Sequence, residues 1–98
     1  MEVEVTNQYG ETVNVEITEE WQNKAKTDII LSNIIGVDFN KIKDGYKDKF
    51  FDLMLKFFVE IEIFELFEIS NDEIIENLYD CIHEVANDDP NIDGKYIL

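Results

Sequence analysis

Arginine is absent from this chain of 98 residues, and all eight of its basic side chains are lysine, set against 23 Asp and Glu for a formal charge of -15. Without arginine there is no planar fork for bidentate phosphate recognition, and without a cationic surface there is nothing to displace counterions from a phosphate backbone. Direct binding of DNA or RNA is therefore not expected. The single cysteine, Cys81, has no partner for an intrachain disulfide. One proline and four glycines leave no linker-like stretch, so one acidic globular domain over 1–98 is expected. The most apolar segment, Phe50 to Ile69, is interrupted by Asp52, Lys56, Glu60, Glu62, Glu65 and Glu68. It cannot cross hydrocarbon, and anionic bilayers would repel the chain, so no membrane role is expected. The opening MEVEVTNQYG carries neither a basic leader nor an apolar signal core, which points to a cytoplasmic protein. A bias toward Asn, Asp, Glu, Ile, Lys and Phe suggests an AT-rich coding source such as a low-GC bacterium or its phages.

What the chain does have is apolar material: 45% hydrophobic residues, with seven Phe, four Tyr and one Trp. A disordered acidic chain carries less, so the charge is expected on a folded surface. Val3, Val5, Val13, Val15 and Ile17 alternate with polar residues on either side of Asn7-Gln8-Tyr9-Gly10, the pattern of a β-hairpin with one buried face. Thr18 before Glu19, Glu20 and Trp21 reads as an N-cap with acids in the first turn, opening a helix that ends near Gly36. Asp38 to Gly45 reads as a loop or a short helical turn. Tyr46 to Glu68 is read as a bent, central helix, because its Phe, Leu, Met and Ile side chains surround most of the circumference. The strict alternation from Val59 to Ile63 leaves a strand there as the alternative. Ser70 and Glu73 form a capping-box pattern for a last helix from Asn71 to about Ala86, stopped by Asp88-Asp89-Pro90. Lys95 to Leu98 could add a third strand. The expected fold is α+β, an N-terminal hairpin packed against about three helices.

Charge is unevenly spread. Twelve acidic residues and no lysine lie between Phe57 and Gly94. Asp72, Glu76, Asp80, Glu84 and Asp88 recur at every fourth position of the last predicted helix. Four helical residues rise about 6 Å, of the order of the phosphate spacing along one nucleic-acid strand. Like charges so placed cost about 0.2–0.5 kcal/mol per pair in an isolated helix. Such a row makes sense if a basic groove receives it, although a merely solvated face would also carry a polar stripe.

Other constellations are thinner. Asp89-Pro90-Asn91-Ile92-Asp93-Gly94 matches the opening of an EF-hand loop, with Asp89, Asn91 and Asp93 as metal-ligand candidates. The loop's bidentate Glu and second helix do not follow, and an ordinary Asp-Gly turn accounts for the same residues. Cys81 and His83 lie two apart on a helix and do not face each other, so they form no nucleophile pair. No serine sits in a nucleophile elbow and no glycine-rich phosphate loop exists. Tyr9, at the hairpin tip, and Tyr46, after Gly45, are the aromatics expected to be exposed as interface anchors.

These observations favour binding over catalysis and call for no cofactor. The expected activity is that of an acidic inhibitor that occupies the basic nucleic-acid-binding surface of a bacterial nuclease or defence complex, using Asp72, Glu76, Asp80, Glu84, Asp88, Tyr9 and Tyr46. In size and charge the chain resembles small phage anti-CRISPR and anti-restriction proteins, nucleic-acid mimics among them. An immunity protein neutralising a cognate toxin, or a small calcium-binding module using the Asp89–Gly94 turn, are the alternatives.

Overall fold

Alternating valines become a two-stranded antiparallel hairpin, β1 (Glu2–Thr6) and β2 (Thr12–Glu16). Its register sets Val3 opposite Val15 and Val5 opposite Val13. All four side chains thus share one face, and the acids Glu2, Glu4 and Glu16 lie on the solvent side. The turn is held by Asn7, whose Oδ1 accepts from the N–H groups of Tyr9 and Glu11, each at 3.0 Å. Gly10 takes φ +78° there, a conformation that a Cβ would disfavour. The computed structural model describes residues 1–87.

Helix α1 (Glu19–Ile29) starts where its N-cap is written: Thr18 Oγ1 accepts from Trp21 N–H at 3.2 Å. Beyond Ile29 the helix widens into a π-turn, Ile30–Ile34, with Ile35 N–H bonded to the Ile30 carbonyl at 2.8 Å. It closes at Gly36 (φ +78°), past which Val37 N–H reaches back to Leu31 O. A single 3-10 turn, Phe39–Lys41, capped by Asp38, leads to α2 (Lys47–Glu60).

The segment expected as one bent helix to Glu68 is broken. Helix α2 stops at Glu60, Glu62 adopts a left-handed backbone (φ 53°, ψ 34°), and Ile63–Leu66 forms a 3-10 turn. The alternation of Val59 to Ile63 marks a change of direction, neither a continued helix nor a strand. The helix expected from Asn71 to Ala86 is likewise divided into α3 (Asn71–Asn77) and α4 (Tyr79–Ala86), with Leu78 (φ -96°, ψ 8°) at the joint. Ser70 Oγ caps α3 by accepting from Glu73 N–H at 3.2 Å. The described chain is thus a hairpin followed by four helices, α+β and mostly helical. The candidate third strand and the Asp89–Gly94 turn lie outside the described residues.

Two apolar clusters hold these elements. In the first, Val15 and Ile17 meet Trp21 and Ala25 of α1, Ile74 and Leu78 of the α3 end, and Cys81, Ile82 and Ala86 of α4. In the second, Ile30, Leu31 and Phe58 are buried among half-buried aromatics from the 3-10 turns and α2. Ile69 packs against both. Helix α1 supplies Trp21 and Ala25 to the first cluster and its π-turn continuation supplies Ile30 and Leu31 to the second, so this continuous helical segment is the central one. Helix α2 lies at the periphery, with Phe58 its one fully buried residue. Among the described residues no helix is long and apolar enough to cross a membrane.

Candidate partner-binding face

The inward stripe of α3 and α4 decides which carboxylates face outward. Ile74, Leu78, Cys81 and Ile82 are fully buried, which draws the opposite side of the two helices to the surface. Asp72, Glu73, Glu76 and Asp80 are exposed there. Asp72 and Glu73 occupy the first turn of α3, where the helix dipole favours them.

Glu84 departs from this row and is half-buried. Each step of four residues overshoots a full turn by about 40°, so from Asp72 to Glu84 the row winds through about 120°. The break at Leu78 adds to this. Helix α4 packs against both strands, and its C-terminal end is tied to the hairpin turn by Gln8 N–H donating to Asn87 Oδ1 at 2.7 Å. Asp88 lies outside the described residues. The outward row is therefore Asp72, Glu76 and Asp80, with Glu73 beside it.

A cleft of about 400 Å³ opens between α1 and α3, lined by Asp28, Ile29, Asn33, Glu73, Glu76 and Asn77. Asn77 fixes its geometry: its Nδ2 donates to Asp28 Oδ2 at 3.0 Å and to the Ala25 carbonyl at 3.4 Å. The Asp28 carboxylate is thereby held at the edge of the α3 row, 44 or more residues away in sequence. Sequence reading missed Asp28 and took Glu73 only as a capping residue; no local pattern announces a contact between α1 and α3.

Among the described residues, no ion pair involves Asp28, Asp72, Glu73, Glu76 or Asp80. The side-chain ion pairs among the described residues are Lys24 with Glu20 (3.4 Å) and Lys47 with Asp44 (3.3 Å), both elsewhere. Five carboxylates, from Asp28, Asp72, Glu73, Glu76 and Asp80, thus contribute a negative field that salt screens over roughly 8–10 Å. Among the described residues, no group of three His, Cys, Asp or Glu is placed to hold a metal ion. The charge is spread over three helices, α1, α3 and α4, a layout matched by an extended cationic surface better than by a point ion.

The remaining candidates are dispersed. Tyr9 is 72% exposed on the hairpin turn, next to Gln8 and so near the C-terminal end of α4. Tyr46 is also exposed, but it stands at the N-terminal end of α2, a helix that is not part of this face. Cys81 is fully buried in the first core, while His83 is half-buried with its ring 4.2 Å from that of Tyr79. Asp89, Asn91 and Asp93 lie outside the described residues. Compared with protein-family models, curated proteins and solved structures, the chain matches none of them.

Proposed function

We propose that the protein is an acidic binding module whose α3–α4 face, bordered by Asp28 of α1, occupies the basic nucleic-acid-binding surface of a bacterial nuclease or defence complex. The observation that carries this reading is the set of exposed carboxylates Asp72, Glu73, Glu76 and Asp80 with no ion pair among the described residues, in a stretch without lysine from residue 58 to 94. An ordinary solvated helix interleaves lysines at i+4 to relieve this repulsion. Leaving it unrelieved costs stability in the free protein, and a cationic groove would recover that cost on binding. Within α3, helix geometry holds Asp72 and Glu76 one four-residue rise apart, about 6 Å, so these charges can meet cations arranged for successive phosphates, and Asp80 continues the row beyond the joint at Leu78. Tyr9, at the α4 end of this face, would add an aromatic contact. The mode of action is occupancy, not catalysis. A cytoplasmic setting fits a lone cysteine buried in the core as a small apolar group.

The test uses isosteric neutralisation. Tagged wild-type protein and a D72N/E76Q/D80N variant are incubated with bacterial lysate at low salt, washed, and eluted at high salt. A basic, nucleic-acid-handling protein retained by the wild type and lost from the variant is the expected result. The captured protein should release a labelled oligonucleotide when wild-type inhibitor is added. Equal retention by both proteins, or binding insensitive to salt, would overturn the charge-based reading.

A further inference from the structure

Helix α2, which packs on α1 and the following 3-10 turn, exposes a second surface of different character. At about 100° per residue, Tyr46, Phe50, Leu53, Phe57 and Ile61 fall within one sector of about 80°. Phe50 is half-buried against Phe39, with ring centroids 6.2 Å apart. The other four are left open: Tyr46 is 60% exposed, Leu53 61%, Phe57 48% and Ile61 48%. The spacing 46, 50, 53, 57 is the alternating four-three spacing of a helix-pairing seam. A contiguous apolar stripe of this kind on a small charged protein marks an interaction surface.

The charges around the seam identify its occupant. Residues 41–61 contain Lys41, Lys43, Lys47, Lys49 and Lys56 together with Asp44, Asp48, Asp52 and Glu60. Five positive against four negative gives a local charge of +1, leaving -16 for the rest of a chain whose total is -15. On this near-neutral segment two copies can meet without the repulsion that the acidic remainder of the chain would impose. Its charges are also ordered along the helix. Lys49 and Glu60 are both exposed on the same edge of the stripe, eleven residues and about 16 Å apart, too far to pair within one helix. Their midpoint falls half a residue, about 0.75 Å, from that of Leu53 and Phe57. A two-fold axis through that point, with the helices antiparallel, places Lys49 of each copy against Glu60 of the other and packs Leu53 against Phe57.

We infer that the protein self-associates as an antiparallel dimer through α2, with Leu53 and Phe57 at the two-fold axis and reciprocal Lys49–Glu60 pairs along one edge. Such an isologous contact uses one patch twice. Opposed helix dipoles are compatible with it. The face is separate from α3–α4, so the dimer stands or falls independently of the partner-binding reading and would present two acidic faces at once.

Sedimentation equilibrium over a concentration series tests this on the full chain, with circular dichroism to check that each variant folds. Wild type is expected to be a monomer–dimer mixture, and Leu53→Glu, at an already exposed position, to be monomeric. Lys49→Glu and Glu60→Lys should each weaken the dimer about tenfold, from two repulsive contacts replacing two attractive ones. Mixing the two single variants should restore association as a heterodimer, and K49E/E60K should associate within about threefold of wild type. Global repulsion predicts the opposite for Glu60→Lys, which lowers the net charge and would tighten any nonspecific contact. A wild type that stays monomeric, a tighter Glu60→Lys dimer, or no recovery in the mixture would each overturn the inference.

Discussion

The two apolar clusters of this chain are built from different residues and end up differently closed. The first takes aliphatic side chains from a hairpin, α1, α3 and α4, and nine of its members are buried. The second has most of the phenylalanines, yet only Ile30, Leu31 and Phe58 are buried, ringed by half-exposed Phe39, Phe50, Phe51, Met54, Phe64 and Phe67. The difference is one of geometry more than hydrophobicity. A sheet and three helices enclose the first cluster, whereas the second is covered by one long helix, the end of α1 and two single 3-10 turns. Large rings meet there edge-on, as Phe58 and Phe64 do at 6.1 Å and 77°, an arrangement that rings favour. Lys26 covers part of the gap, its Nζ 5.6 Å from the Phe64 ring centre. Stability should therefore reside in the hairpin, α3 and α4, and the α2 side should open first.

That contrast can be broken by substitution. Ile82→Ala, which removes a fully buried side chain from the first cluster, is expected to cost about 2–5 kcal/mol in urea unfolding. Met54→Ala, on the half-buried side of α2, should cost only about 1–2 kcal/mol, because part of its surface is already wet. Equal losses would mean that the second cluster is as closed as the first. Glu62→Gly removes a side chain from a left-handed position and one negative charge from an acidic segment. It should stabilise the protein by up to about 1 kcal/mol, and a loss would show that the Glu62 side chain holds the end of α2. The smallest effect is expected at Thr27, fully buried on α1 with its hydroxyl lacking a hydrogen-bond partner. Thr27→Val should leave stability unchanged or raise it by up to about 1 kcal/mol, since no bond is lost and a polar atom leaves the interior. A clear destabilisation would show that the hydroxyl is satisfied in solution.

Much of the acidic face was legible in advance because it depends on local rules. Asp72, Glu76 and Asp80 follow from spacing opposite Ile74 and Leu78, and the cap at Ser70 follows from its offset to Glu73. Glu84 was read into the same row because spacing of four conceals a steady rotation, and because nothing in Asn77-Leu78-Tyr79 announces a break. Asp28 was invisible, since its place beside Glu76 depends on the bond from Asn77 to α1. The reading of α2 as the central helix failed for a related reason. An apolar circumference shows that a helix has much to bury, not whether the chain has neighbours enough to bury it.

Local chemistry in the sequence was sufficient for the hairpin and its buried valine face, for both helix N-caps, for the stop at Gly36 and for the separation of lysine-poor and lysine-rich segments. These depend on contacts between residues a few positions apart, where side-chain period and backbone preference act directly. Only the tertiary structure decided that α1 would be the central helix, that the long segments would break at Glu62 and Leu78, that Asp28 would join the α3 carboxylates, and that Leu53 and Phe57 would remain open to solvent. Each is settled by competition among distant elements for a limited interior, and 98 residues do not supply enough surface to cover every apolar face.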